Sequence, residues 1–430
     1  MNIHTTTLRN GLVLVHVHFP DTQMVALNVL YNVGARDEDP EHTGWAHLLE
    51  HLMFEGTPRT PDYDTQVQMA GGEDNAFTNN DVTSFYLTVP HANIEKAFAL
   101  EADRMQGLAL DEQSVEIQKH VVTEEFKQRC TNQPYGDVQH LTRALAFSTH
   151  PYRWPTIGAS TQHIAEATPD GIRAFYRKHY RPSNAILTIT GAASYEEALR
   201  LAKTYFEPIK DDGTPCTRQP SDHGIVREPP QPRMRRKTVF RDVPLDMLVM
   251  SFHMGGRRAD DYYPCDVITD LLANGQSSRL TQRLVNEQKM FVSADACILG
   301  STDPGLLQVM GRVSPEHTLS EAEAAVWNEL ERLKTEDIGE EELEKVRNRF
   351  ESERVFSNIH YLNVAIALPQ LILAGTSTEE EIASYRAVSA DDVRRTARAL
   401  LTRRNSSILC YKAKNKNPQP TQAAGKRRNR

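Results

Sequence analysis

Thr43-Gly44-Trp45-Ala46-His47-Leu48-Leu49-Glu50-His51-Leu52-Met53-Phe54-Glu55-Gly56-Thr57-Pro58 is the stretch whose reading decides the rest of the chain. Thr43 is placed to cap a helix, and Gly56 and Pro58 are placed to stop it. His47 and His51 then stand one turn apart, so both imidazoles leave the same face and can grip one ion. Glu50 lies three residues after His47 and one before His51, near enough to handle a water held there. Leu48, Leu49, Leu52 and Met53 remain to anchor the helix in a core. The order His-x-x-Glu-His reverses the common zinc-protease motif. An amphipathic helix with two incidental histidines accounts for the same letters. A catalytic zinc takes three protein ligands and keeps one position open, so the motif requires a third ligand from elsewhere.

Bulk properties narrow the alternatives. A chain of 430 residues holds about two to four domains with real cores. Charged residues make up 25% and hydrophobic ones 39%, which excludes a disordered or fibrous class. The net charge of -8 argues against nucleic acid and anionic membranes as partners. No run approaches the roughly twenty apolar residues of a spanning helix, so no membrane role is expected. Met1 to Thr7 lacks the basic start and apolar core of a signal peptide. Cys130, Cys216, Cys265, Cys297 and Cys410 are scattered and odd in number. They read as thiols in a reducing cytoplasm rather than as a disulfide framework.

Outward from the histidine helix, Asn10-Gly11 marks a hairpin turn into the alternating run Leu12 to Phe19. His16 and His18 on that run read as ordinary strand residues. Val25 to Val33 is a second strand, and Val82 to Val89 a third, after Gly71-Gly72-Glu73-Asp74-Asn75-Ala76-Phe77-Thr78. Helices are predicted over Ala92 to Met105 and Ser114 to Arg129, the latter carrying Glu124-Glu125. A short helix, Ile172 to Tyr180, a strand, Asn184 to Gly191, and a helix, Tyr195 to Phe206, end this half. Five prolines and no periodicity between Asp211 and Lys237 indicate a linker, with Arg233 to Lys237 as a solvated tether.

Beyond it the pattern repeats. Met247 to Met254 runs into Gly255-Gly256-Arg257 as Val25 to Val33 runs into Gly34-Ala35-Arg36. A helix follows, Asp261 to Leu272, with no His-x-x-Glu-His, so one metal site per chain is expected. Helices Leu319 to Leu333 and Glu340 to Arg354 and a strand, Ser406 to Tyr411, complete the second half. The expected architecture is α+β: two homologous domains, 1–210 and 238–414, each a mostly antiparallel sheet covered by helices. They are joined by a linker, 211–237, and followed by a disordered basic tail, 415–430.

The sequence resembles the pitrilysin/insulinase family, which includes the mitochondrial processing peptidases and bacterial relatives. The resemblance is carried by Asn10-Gly11-Leu12, Gly34 to Glu38, Ala46 to Phe54, Gly71-Gly72…Asn75-Ala76-Phe77-Thr78, Val121 to Glu125, Tyr180-Arg181-Pro182…Gly191 and Ser277-Ser278-Arg279-Leu280. It implies a zinc endopeptidase in which a glutamate on a later helix joins His47 and His51. Here that residue is Glu125, with Glu124 as the alternative. Two neutral imidazoles and one carboxylate leave the ion net positive, with Glu50 as general base. The resemblance further implies that Asn75, Ala76 and Phe77 form an edge strand on which a peptide substrate adds as a β-strand. By the same resemblance, Phe54 lines the pocket beside the scissile bond.

Two departures stand out. A second-sphere glutamate of the family is Gln118 here, and an Arg/Tyr pair that binds substrate and stabilises the oxyanion falls at Val285 and Val292. The family builds its chamber from four such domains, so a dimer is implied. The missing pair implies a second subunit of the same family that supplies it, with a homodimer as the alternative. A non-catalytic scaffold subunit of the same fold is the rival reading.

Overall fold

The computed structural model describes residues 2–211, 224–300 and 302–414. The expected tail, 415–430, and residues 212–223 of the expected linker lie outside the described residues.

Asn10-Gly11 forms its turn with Gly11 at φ 89°, in the left-handed region that favours glycine. The Leu8 N–H closes the turn on the Leu12 carbonyl at 2.8 Å. The turn joins β1 (Ile3–Thr7) to β2 (Val13–His18), antiparallel, with Thr5 opposite Val15. With β3 (Met24–Tyr31), β4 (Glu73–Thr78), β5 (Thr83–Pro90) and β6 (Ala185–Gly191) they make a sheet in the order β1-β2-β6-β3-β5-β4. The second sheet has the order β7-β11-β8-β10-β9. Its strands are β7 (Arg235–Arg241), β8 (Met247–His253), β9 (Phe291–Leu299), β10 (Leu306–Val313) and β11 (Ser406–Ala413).

Apart from β1, the two orders are one permutation. In each, the first strand pairs parallel with the last, and the remaining neighbours run antiparallel. The chain is thus α+β, with two like domains. One boundary needs correction: Arg235 to Lys237 belong to β7 rather than to a tether. Arg235 donates to the Leu145 carbonyl at 3.2 Å and Arg236 pairs with Glu323 at 2.7 Å, so neither is a free solvated cation.

Each sheet lays one face on helices of its own half and the other on a helix from the opposite half. Val13, Val15, Val17 and Ile186 pack against Val364 and Leu368 of the helix Tyr361–Ala374. Reciprocally, Val138 of the helix Val138–Ala146 packs against Val239, Val249, Leu409 and Tyr411. Pro369 lies inside the first of these helices and has no N–H, which frees the carbonyl four residues earlier. That carbonyl, of Ala365, accepts from the buried Asn28 Nδ2 of β3 at 2.7 Å. A second tie crosses beside it, with Arg36 buried between Asp81 at 3.3 Å and Asp303 of the other half at 3.0 Å. The histidine helix follows β3, so these ties fix the strand from which the candidate site hangs. Among the described residues, no single helix is long and apolar enough to cross a membrane.

Candidate metal centre

The histidine helix spans Trp45–Leu52, and its entry differs from expectation. Gly44, at φ 88°, is the capping residue, and Thr43 is not. Thr43 Oγ1 instead meets His163 Nδ1 at 2.9 Å and accepts from the Ala159 N–H at 2.8 Å. The first-turn N–H groups are taken by Glu38, which accepts from Gly44 at 2.9 Å and Ala46 at 2.8 Å. A carboxylate there satisfies two orphan donors and faces the positive end of the helix. Leu48, Leu49, Leu52 and Met53 are buried in the first core, as their spacing requires, which turns the histidine face away from that core, with His47 buried and His51 half-buried.

The second contributing helix, Glu112–Phe126, starts at Asp111, whose side chain accepts from the Ser114 N–H at 2.8 Å. It brings Glu125 over the histidines. Glu125 Oε2 lies 3.4 Å from His51 Nε2 and 3.7 Å from His47 Nε2. One ligand atom from each of the three residues falls within 4.8 Å of the others. Bonds of about 2.0–2.2 Å in a tetrahedron set zinc ligands about 3.3–3.6 Å apart, so the spacing suits that ion. Glu125 Oε2 is also buried without a hydrogen-bond partner among the described residues. The two imidazoles make no well-formed hydrogen bond to this oxygen, and a cation at the centre of the triangle would give it a direct partner. Glu124 points away: its side chain is 71% exposed against 18% for Glu125, and it pairs with Lys127 at 2.6 Å.

The surroundings tune the three groups differently. Burial pushes the His47 imidazole down to about 4, which keeps it neutral and ready to ligate. Burial also pushes the Glu50 carboxyl up, against the hydrogen bond it accepts from the Thr78 hydroxyl. Burial alone would raise Glu125, but contact with His51, His47 and Arg129 outweighs it and holds the group below its ordinary value. Glu125 therefore stays anionic while Glu50 becomes more basic, a division of labour that suits a ligand and a proton acceptor.

Among the described residues β4 is the outermost strand of the first sheet, paired only with β5, with Asn75 opposite Tyr86 and Phe77 opposite Ser84. Asn75 is exposed, while Ala76 and Phe77 are half-buried. Thr78 at the end of β4 reaches Glu50, so the free strand edge runs alongside the histidine helix. Phe54 is half-buried, with its ring 6.0 Å from Tyr63 and 6.1 Å from Phe85. Gln118 donates to Glu55 just past the histidine helix. Val292, on the outermost strand β9, is 55% exposed, and Val285 is half-buried against the second core. Neither valine offers a donor. Sequence reasoning missed two polar contributors, Thr78 and Arg129. Thr78 closed a quoted motif, and Arg129 stands four residues beyond Glu125, the spacing of a helical ion pair.

Residues 13–159 match the family model for insulinase (peptidase family M16), and residues 166–350 match the peptidase M16 inactive domain. Zinc protease PqqE of Helicobacter pylori is 29% identical over 347 residues, 80% of this chain and 77% of that protein. An uncharacterized zinc protease of Streptomyces coelicolor is 26% identical over 423 residues, 96% of this chain and 90% of its own. The crystal structure of a protease from Helicobacter pylori matches with a TM-score of 0.89 at 26% identity, covering 96% of this chain and 99% of that one. With two M16 domain models matched in sequence along most of its length, the chain belongs to the insulinase family, peptidase family M16.

Proposed function

We propose that the chain is a zinc-dependent endopeptidase that cleaves peptides or unfolded segments. The observation that carries the reading is the convergence of His47, His51 and the unpartnered Glu125 Oε2 beside a basic Glu50. When bound, zinc polarises a peptide carbonyl and brings the pKa of a water toward neutrality. Glu50 takes a proton from the attacking water as its oxygen joins the carbonyl carbon. It then returns that proton to the amide nitrogen as the C–N bond breaks, leaving a carboxylate and an amine. Thr78 holds Glu50 by its Oε2, and the free edge of β4 supplies main-chain groups to hold an extended peptide with little demand on its sequence.

The oxyanion lacks a side-chain donor from Val285 and Val292, which supports a second subunit of the same family bringing an Arg/Tyr pair and completing a chamber. Cys130, Cys265, Cys297 and Cys410 are unpaired thiols, in keeping with a reducing, cytoplasmic setting. The test is cleavage of a quenched fluorescent peptide mixture by the chain with its partner subunit, beside Glu50→Gln. Cleavage lost in the variant while zinc is retained supports the reading. Cleavage that persists in the variant removes Glu50 from the mechanism.

A further inference from the structure

The geometry points to Arg129 as a positioning residue of this centre, one that makes Glu125 a ligand through a single oxygen; the inference rests on the metal centre proposed above. The two oxygens of Glu125 have different surroundings. Oε2 faces His51 and His47 and is otherwise unpartnered among the described residues. Oε1 lies 2.8 Å from Arg129 Nη1. A carboxylate whose second oxygen is committed to a guanidinium cannot turn both oxygens onto one ion without breaking a charge-assisted hydrogen bond.

The backbone is built to hold that arginine in place. After Phe126 the helix widens into a π-helical turn, Lys127–Thr131, closed by the Asn132 N–H on the Lys127 carbonyl at 2.8 Å. The chain returns against this turn at Gly136, where a Cβ would stand 2.5 Å from the Arg129 carbonyl and 2.8 Å from that of Cys130. Gln133 Nε2 donates to the same Arg129 carbonyl at 2.5 Å. The two cations of the turn divide between the two glutamates: Lys127 takes Glu124 and Arg129 takes Glu125. The Arg129 side chain is itself 66% exposed, so its pairing adds little to folding, and what it controls is the orientation of a half-buried partner. One-oxygen ligation by Glu125 would leave a position for water and substrate that two-oxygen ligation would occupy.

The experiment compares the full chain with Arg129→Ala and Arg129→Lys. It reads zinc affinity by chelator competition, and coordination from the visible spectrum of the cobalt(II)-substituted protein. Arg129→Ala is expected to lose about 10–100-fold in zinc affinity, the usual effect of removing an outer-sphere partner. Its cobalt band should weaken, because five-coordinate cobalt absorbs less than four-coordinate. Arg129→Lys should restore part of both. A metal-free melting temperature equal to that of the unsubstituted chain is expected alongside. An Arg129→Ala protein with unchanged zinc affinity and cobalt spectrum overturns the role of Arg129 and leaves the metal centre standing. An unsubstituted chain that binds no zinc overturns the centre itself, and this role with it.

Discussion

Glu50 and Glu125 sit on neighbouring helices, and their surroundings drive the two carboxyls in opposite directions, Glu50 up and Glu125 down. That difference suits the proposed roles of Glu50 in proton transfer and Glu125 in ligation. Glu50→Gln is expected to lower kcat by about 10²–10⁴-fold with zinc content unchanged, read by peptide cleavage beside metal analysis. Thr78→Val removes the hydroxyl on Glu50 and is expected to lower kcat by roughly tenfold, with KM nearly unchanged and activity restored in Thr78→Ser. Equal loss in Thr78→Ser would contradict that role. At this scale the histidines and Glu50 are legible in the sequence, because an i, i+4 spacing on a helix fixes direction. Glu124 and Glu125 are not separable by spacing alone. One residue is a turn of about 100° on a helix, and only packing decides which of the two faces inward.

The elements that most tightly join the halves are the helices that cross between them. Asn28 is buried on β3, donates to the carbonyl freed by Pro369 and accepts from the Ser84 hydroxyl at 2.7 Å. Asn28→Ala leaves that carbonyl and hydroxyl unpaired in the interior. The expected loss is about 1–3 kcal/mol of stability, measured by chemical denaturation. The strands Val25 to Val33 and Val82 to Val89 and the helices carrying His47, His51 and Glu125 were readable from their patterns, to within a few residues at their ends. By contrast, β4 followed only from the resemblance, and the short helix Tyr63–Met69 was not foreseen. Tyr361–Ala374 was not readable, because it is apolar nearly all round and carries an internal proline that reads as a break. Val138–Ala146 escaped for another reason: it is short, and its partner surface belongs to the other half of the chain. Such helices are set by tertiary contacts that no local pattern records.

For the whole molecule, the described end of the linker acts as a strap. Glu228 accepts from the N–H groups of Ser148, Thr149 and His150 at 2.8, 2.8 and 3.1 Å. Burial alone would raise its carboxyl, but the Ser148 hydroxyl, which donates to it at 2.7 Å, and these N–H groups outweigh burial and hold it down at about 2. A folded value below the unfolded one contributes stability above about pH 4.5, and that stability is lost as pH falls toward 2. Glu228→Gln is therefore expected to cost about 1 kcal/mol near neutrality, after allowance for solvent screening, and progressively less as pH falls through 2. Melting temperatures across that range check it. The chain alone is expected to cleave peptides about 10²–10³-fold more slowly than with a subunit supplying oxyanion donors, a ratio read by titrating the partner. Strong cleavage by the purified single chain would sink the two-component reading. The repeat was legible because strand-loop-helix patterns recur in both halves, yet among the described residues only the first half gathers side chains that could hold a metal ion, so one ion per chain is expected. Zinc content per chain tests this most directly, measured for the unsubstituted protein, Glu124→Ala and Glu125→Ala. One zinc is expected in the first two and a large loss in the third. No zinc in the unsubstituted protein, or equal zinc in both variants, would contradict it.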